Sequence, residues 1–153
     1  MKKAVNSSIK IGVSCVLFDS PKFEKILLIH REREPVKWSF PGGRLEKGES
    51  IKFGIERETY EETGYRITLA PNSLYNVIEN EELKYIVISG LGFINDVQPS
   101  EIDRTQDDIN IKQKFYSIDK NGPDSLHDLK DEDCIPELKA ITQRFIDTYK
   151  GKY

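Results

Sequence analysis

From Ile9 to Asp19 the chain alternates polar and apolar positions and then runs apolar, with β-branched Ile11, Val13 and Val16, which predicts a buried strand. The turn "SPKF" follows, and Lys25 to Arg31, "KILLIHR", predicts a second strand that forms a hairpin with the first. "EREPVKWSFPGG" reads as loop, broken by Pro35, Pro41, Gly42 and Gly43. Helical spacing takes over near Ser50 and stops at Gly64, a residue suited to the left-handed position past a helix end. Tyr65 to Ala70 has strand character, Pro71 ends it, and "SLYNVIE" and "LKYIVISGLGFI" predict two more strands around a polar turn. Asn95 to Asn110 is an acidic loop, "KFYSID" a short late strand, and "IPELKAITQRFIDTYK" a closing helix with Pro136 in its first turn. Leu138, Ile141, Phe145 and Tyr149 share a face of that helix, which predicts packing on the sheet. No repeats or linkers interrupt the pattern. The expectation is one α+β domain over residues 1–153 with a mixed, largely antiparallel sheet.

Composition narrows the class. The chain has 153 residues, 37% hydrophobic and 32% charged, as in ordinary globular domains. A formal net charge of -3 argues against a broad grip on nucleic acid or an anionic membrane. It leaves room for a small anionic substrate held locally. Cys15 and Cys134 have no zinc-site spacing and read as two reduced thiols. "MKKAVNSSIK" lacks the apolar core of a signal peptide and no stretch is long enough to span a bilayer, so the expected location is the cytoplasm.

The middle helix changes the picture. It gathers Glu58, Glu61 and Glu62 within five positions, where like charges repel. On a helical wheel they border the core-facing row of Ile51, Ile55 and Thr59, whereas a solvated charged face would lie opposite it. Arg57 relieves Glu61 at i, i+4, but one cation cannot neutralise three anions. Two readings stand: a Glu-rich surface helix, or a site for a hard divalent cation such as Mg²⁺ or Mn²⁺. The preceding "WSFPGG" favours the second, because paired glycines let backbone approach a ligand and a carbonyl there can join a metal shell.

Residues 43–65 resemble the Nudix box, Gly-x5-Glu-x7-Arg-Glu-U-x-Glu-Glu-x-Gly-U with U a bulky apolar residue. The letters fall on Gly43, Glu49, Arg57, Glu58, Thr59, Glu61, Glu62, Gly64 and Tyr65. Every fixed residue is present, and the departures are Thr59 and Tyr65 at the U positions. Thr59 is expected to bury its methyl and bond its hydroxyl back to the helix. The lead-in "LLIHREREPVKWSFPGG" is also family-like, so the resemblance implies a Nudix-type α/β/α sandwich built on the box helix and a C-terminal helix.

The resemblance further implies hydrolysis of a phosphoanhydride in a nucleoside diphosphate-linked substrate. Glu58, Glu61 and Glu62, with the Gly42 carbonyl, would hold Mg²⁺, or Mn²⁺ in its place. Glu58, Glu61 and Arg57 are the catalytic candidates, with Glu58 taken as the base; family members differ at that step. Glu49 is taken as a brace for Arg57 rather than a ligand. Gly43, Arg31 and Arg33 are candidates for contact with substrate, and the two arginines read equally as an ordinary strand terminus. Glu101, Asp103, Asp107 and Asp108 offer a further acid, or are simply solvated. Trp38 reads as packing, and His30 and His127 carry no role. Phe53 and Tyr60 lie away from Ile51 and Ile55; they cover a partner subunit in a homodimer, or pack within the monomer.

The family's marker proline for ADP-ribose hydrolases is missing between Pro71 and Pro99, and Tyr85 only approximates the dinucleoside polyphosphate marker. The leading substrate is a (deoxy)nucleoside triphosphate, oxidised forms included. Nucleotide sugars, dinucleoside polyphosphates and a non-catalytic nucleotide sensor are the alternatives. The expected partner is thus a small nucleotide, with no membrane and no extended nucleic acid.

Overall fold

The structure is a computed structural model and describes residues 10–32, 36–70, 76–80, 85–96, 98–100 and 111–153. Its elements in chain order are β1 (Lys10–Phe18), β2 (Lys25–Arg31), β3 (Trp38–Ser39), β4 (Gly42–Arg44), α1 (Ile51–Thr63), β5 (Ile67–Leu69), β6 (Asn76–Asn80), β7 (Tyr85–Ile94), β8 (Ile111–Ser117) and α2 (Leu138–Tyr149). β1 is central. It pairs in parallel with β7 from Lys10 opposite Tyr85 to Phe18 opposite Phe93. A strand covered on both faces needs apolar side chains pointing both ways, which is why β1 reads as a run and not as strict alternation.

The expected hairpin of β1 and β2 exists only at its closed end. Leu17 pairs with Leu27 and Phe18 with Ile26, and then the strands part. Residues 38–44 fill the fork, so the segment read as plain loop contains two short strands. β3 takes the freed edge of β2, with Ile29 opposite Ser39 and His30 opposite Trp38. β4 takes the freed edge of β1, with Gly12 opposite Arg44, Val13 opposite Gly43 and Ser14 opposite Gly42. Only glycine suits position 42, because a Cβ there would run into the Val13 carbonyl and lie 2.8 Å from the Ser14 Cα. The other edge of β2 pairs antiparallel with β8 along its length, and β5 and β6 pair with β7. The sheet is mixed and largely antiparallel, as the sequence predicts.

The two faces of β1 build two cores. Val16 and Phe18 join Ile26, Leu28 and the buried stripe of α2, where Leu138, Ile141, Phe145 and Tyr149 all face inward. Val13, Cys15 and Leu17 join Leu27, Tyr65, Leu69 and Ile55 of α1. The architecture is an α/β/α sandwich. Pro136 lies outside α2 and not in its first turn: Glu137, at φ 64, is the N-cap and helical geometry begins at Leu138. The polar stretch before it contains two short 3-10 turns, Leu126–Asp128 and Asp131–Asp133.

Both ends of α1 are capped as its sequence suggests. The Phe53 N–H donates to the Ser50 hydroxyl at 3.1 Å, and Gly64 is left-handed at φ 79. Phe53 and Tyr60 part company: Phe53 is 57% exposed, whereas the Arg66 guanidinium lies over the Tyr60 ring, 5.0 Å from its centroid. Cys15 and Cys134 are buried free thiols. Among the described residues no helix is long and apolar enough to cross a membrane.

Candidate active site

The buried stripe of α1 ends in a charge. Ile55, Thr59 and Glu62 follow one another at i, i+4 and i+7, and all are buried. Glu62 therefore lies within the stripe that the sequence has it merely border. Its carboxylate reaches the fork between β1 and β2, where Oε1 accepts the Gly42 N–H at 2.6 Å and Oε2 accepts from Arg31 Nη2. The same Nη2 donates to the Gly42 carbonyl at 3.1 Å. Burial pushes the Glu62 carboxyl up to about 7, against the pull of Arg31 and the Gly42 N–H, which favour the charged form. The sequence reads Arg31 as a phosphate clamp or as an ordinary strand terminus, and not as a partner of Glu62. Strand parity carries the missing signal, because Arg31 shares the α1 side of β2 with Leu27 and Ile29.

Arg57 organises the remaining acids. Its Nε donates to Glu49 Oε2 at 2.5 Å and its Nη2 to Glu49 Oε1 at 2.9 Å. Its Nη1 donates to Glu58 at 2.8 Å and Glu61 at 3.1 Å, while Nη2 also reaches the Arg44 carbonyl at 3.1 Å. Hydrogen bonding to Arg57 holds the Glu49 carboxyl below its ordinary value, and Glu49 in turn raises the Arg57 guanidinium. Side-chain exposure grades from 6% at Glu49 through 15% at Glu58 to 46% at Glu61, so Glu61 is the most open to an incoming ion. Two glycines allow this packing. A Cβ on Gly54 would lie 2.9 Å from Glu49 Oε1, and one on Gly43 would lie 2.5 Å from the Glu58 Cδ.

Among the described residues no three acidic, histidine or cysteine side chains converge on one ion position. The two arginines account for this, since Arg57 gathers Glu58 and Glu61 while Arg31 holds Glu62 with Gly42. The donors nevertheless fit a hard divalent cation. They are carboxylate and carbonyl oxygens, and a cationic nitrogen already stands between Glu62 and the Gly42 carbonyl. Arg33, Glu101, Asp103, Asp107 and Asp108 lie outside the described residues. The Ser100 N–H donates to the Gly64 carbonyl at 2.9 Å, so Ser100 lies beside the end of α1.

The two unusual box positions fare differently. Tyr65 packs edge-on against Phe115 at 6.1 Å. Thr59 is fully buried, but its hydroxyl does not bond back to the helix as expected. That bond belongs to Thr63, whose Oγ1 donates to the Thr59 carbonyl at 2.6 Å. Thr59 Oγ1 is left without a hydrogen bond in normal geometry, although it lies close enough to the Cys15 thiol to influence it. Trp38 is structural packing, edge-on to Tyr116 at 5.2 Å and beside His30 at 4.9 Å.

Comparison with known proteins gives this constellation its relatives. The family model for the NUDIX domain matches residues 9–130. Diphosphoinositol polyphosphate phosphohydrolase 2 of Mus musculus is 33% identical over 76 residues, which are 50% of this chain and 41% of that protein. The "Putative 8-oxo-dGTP diphosphatase" of Bacillus subtilis (strain 168) is 45% identical over 47 residues, 31% of each chain. The match thus spans less than half the length of either relative. A NUDIX hydrolase structure from Nitrosomonas europaea superposes with a TM-score of 0.69 at 21% identity, covering 94% of this chain and 92% of that one. A UDP-X diphosphatase structure gives 0.65 at 22% identity, over 98% and 68%. At these identities the two structures speak for the fold. With the family model covering most of the chain, the chain belongs to the Nudix family.

Proposed function

We propose that this chain is a pyrophosphohydrolase that uses Mg²⁺, or Mn²⁺ in its place, to cleave a phosphoanhydride in a nucleoside diphosphate-linked substrate. The leading substrate is a (deoxy)nucleoside triphosphate, oxidised forms included, converted to the monophosphate and pyrophosphate. One observation carries the reading: Glu62 and Glu58 pack from a single helix onto Gly42 and Gly43, Glu61 joins Glu58 through Arg57, and Arg31 stands beside Glu62. A bound Mg²⁺ would screen the negative oxygens of a pyrophosphate and stabilise the leaving phosphate. Glu58, Glu61 and Glu62 with the Gly42 carbonyl would hold it. Glu58, seated in the hollow at Gly43 and hydrogen-bonded to Arg57, is the proposed base toward the attacking water. Glu49 fixes Arg57 and takes no direct part.

The diphosphatase relative supports an oxidised nucleoside triphosphate, and the diphosphoinositol polyphosphate relatives support a second reading, a pyrophosphate carried on a different scaffold. All these substrates present the same bond to the same glutamates. Turnover by the purified chain of nucleoside triphosphates, 8-oxo-dGTP, dinucleoside polyphosphates, nucleotide sugars and a diphosphoinositol polyphosphate separates them. The expected preference is for a triphosphate. Nucleotide binding with no turnover of any compound contradicts the enzyme reading in favour of a sensor.

A further inference from the structure

The two arginines of the site are not equivalent. Arg57 is fixed by the two hydrogen bonds to Glu49. Arg31 instead uses one nitrogen to bridge Glu62 Oε2 and the Gly42 carbonyl. Those are two of the groups assigned above to the divalent ion. The other Glu62 oxygen accepts the Gly42 N–H, so both oxygens are engaged while Arg31 is in place. The exposures say which partner can leave. The Glu62 side chain is 1% exposed and has nowhere to go, whereas the Arg31 side chain is 30% exposed and borders solvent. While ionised, a carboxylate this buried needs a positive partner.

We propose that Arg31 is the resident counter-cation of the metal site. It stands between Glu62 and the Gly42 carbonyl until a divalent ion displaces it, and its freed guanidinium then binds the phosphates of the substrate. Displacement frees Nη2, the nitrogen that bridges Glu62 and the Gly42 carbonyl, so the bound ion adds to the donors that Arg31 offers a polyphosphate. The inference rests on the proposed reading of Glu58, Glu61 and Glu62 as metal ligands.

The test is Mn²⁺ binding to the EDTA-stripped chain, read from the free-ion spin-resonance signal, for the wild type, Arg31→Gln, Arg31→Lys and Glu61→Gln. Arg31→Gln removes the competing charge and is expected to bind Mn²⁺ about tenfold tighter, with a larger rise in melting temperature on adding the ion. Arg31→Lys keeps a charge near Glu62; with its shorter, single donor competing less well, this variant is expected to bind Mn²⁺ about twofold to threefold tighter. Losing a nearby positive charge would by itself tighten a cation site, so release is read separately. The guanidinium resonance missing from Arg31→Lys is expected to become mobile in the wild type when Mg²⁺ is added. Unchanged or weaker Mn²⁺ binding in a folded Arg31 variant, or an unmoved resonance, overturns the inference alone. A wild type that binds no Mn²⁺, or Glu61→Gln binding as tightly as the wild type, overturns the metal reading beneath it as well.

Discussion

Arg57 grips Glu49 with two parallel hydrogen bonds, Nε to Oε2 at 2.5 Å and Nη2 to Oε1 at 2.9 Å. Glu49 belongs to the loop before α1 and Arg57 to the helix, so the pair pins one to the other. The same guanidinium then positions Glu58 and Glu61. A lysine keeps the charge but cannot make a planar fork. Arg57→Lys is therefore expected to cost about 2 kcal/mol in urea unfolding and to lower hydrolysis about a hundredfold. Wild-type values in both measurements would show that the fork holds nothing in place.

The same pair sets a dependence on pH. Arg57 holds the Glu49 carboxyl below its ordinary value of 4.5 in the folded protein. A depressed folded value contributes stability above the unfolded value, and that contribution is lost as pH falls through the folded one. Melting curves in EDTA are expected to show wild type above Glu49→Gln at pH 7, with the gap closing below 4.5. A gap that stays constant into acid would contradict the ion pair as its source.

The paired glycines separate stability from activity. A Cβ at Gly42 meets backbone, the Val13 carbonyl and the Ser14 Cα, whereas one at Gly43 meets the Glu58 side chain. Gly42→Ala is expected to destabilise by about 3 kcal/mol, because strands β1 and β4 must separate. Gly43→Ala is expected to cost about 1 kcal/mol or less and to lower turnover at least tenfold by displacing Glu58. The reverse pattern in unfolding and kinetics would show that these contacts are misassigned.

Thr59 offers a gain. Its fully buried hydroxyl makes no hydrogen bond in normal geometry, and Val is its apolar isostere. Thr59→Val is expected to raise stability by about 1 kcal/mol with turnover unchanged. A loss of stability would mean that the Cys15 thiol is a real partner.

Periodicity made most of this fold legible. β1, β2, α1, β7 and α2 lie where the patterns place them, because each buries a long stripe. β3 and β4 were hidden for a physical reason: at two and three residues they bury no periodic face, and they exist because β1 and β2 part and leave edges to be paired. The box spacing puts Glu49, Arg57, Glu58 and Glu61 together without any coordinates. Glu62 is the case that spacing misjudged. It sits in register with Ile55 and Thr59, and partners from two strands, Arg31 of β2 and the Gly42 N–H of β4, make a carboxylate tolerable there. Such a pairing between β2 and α1 depends on tertiary geometry that local pattern does not encode.

The central claim is that the carboxylates of α1 bind the ion that makes a pyrophosphate cleavable. Its most direct test is Mg²⁺-dependent turnover by the wild type and by Glu61→Gln, on the best substrate of the panel. Glu61 is exposed enough for the change to leave the fold intact. Hydrolysis is expected only with the divalent ion, and about a hundredfold slower in Glu61→Gln. Equal rates for the two proteins, or full turnover in EDTA, would contradict the account.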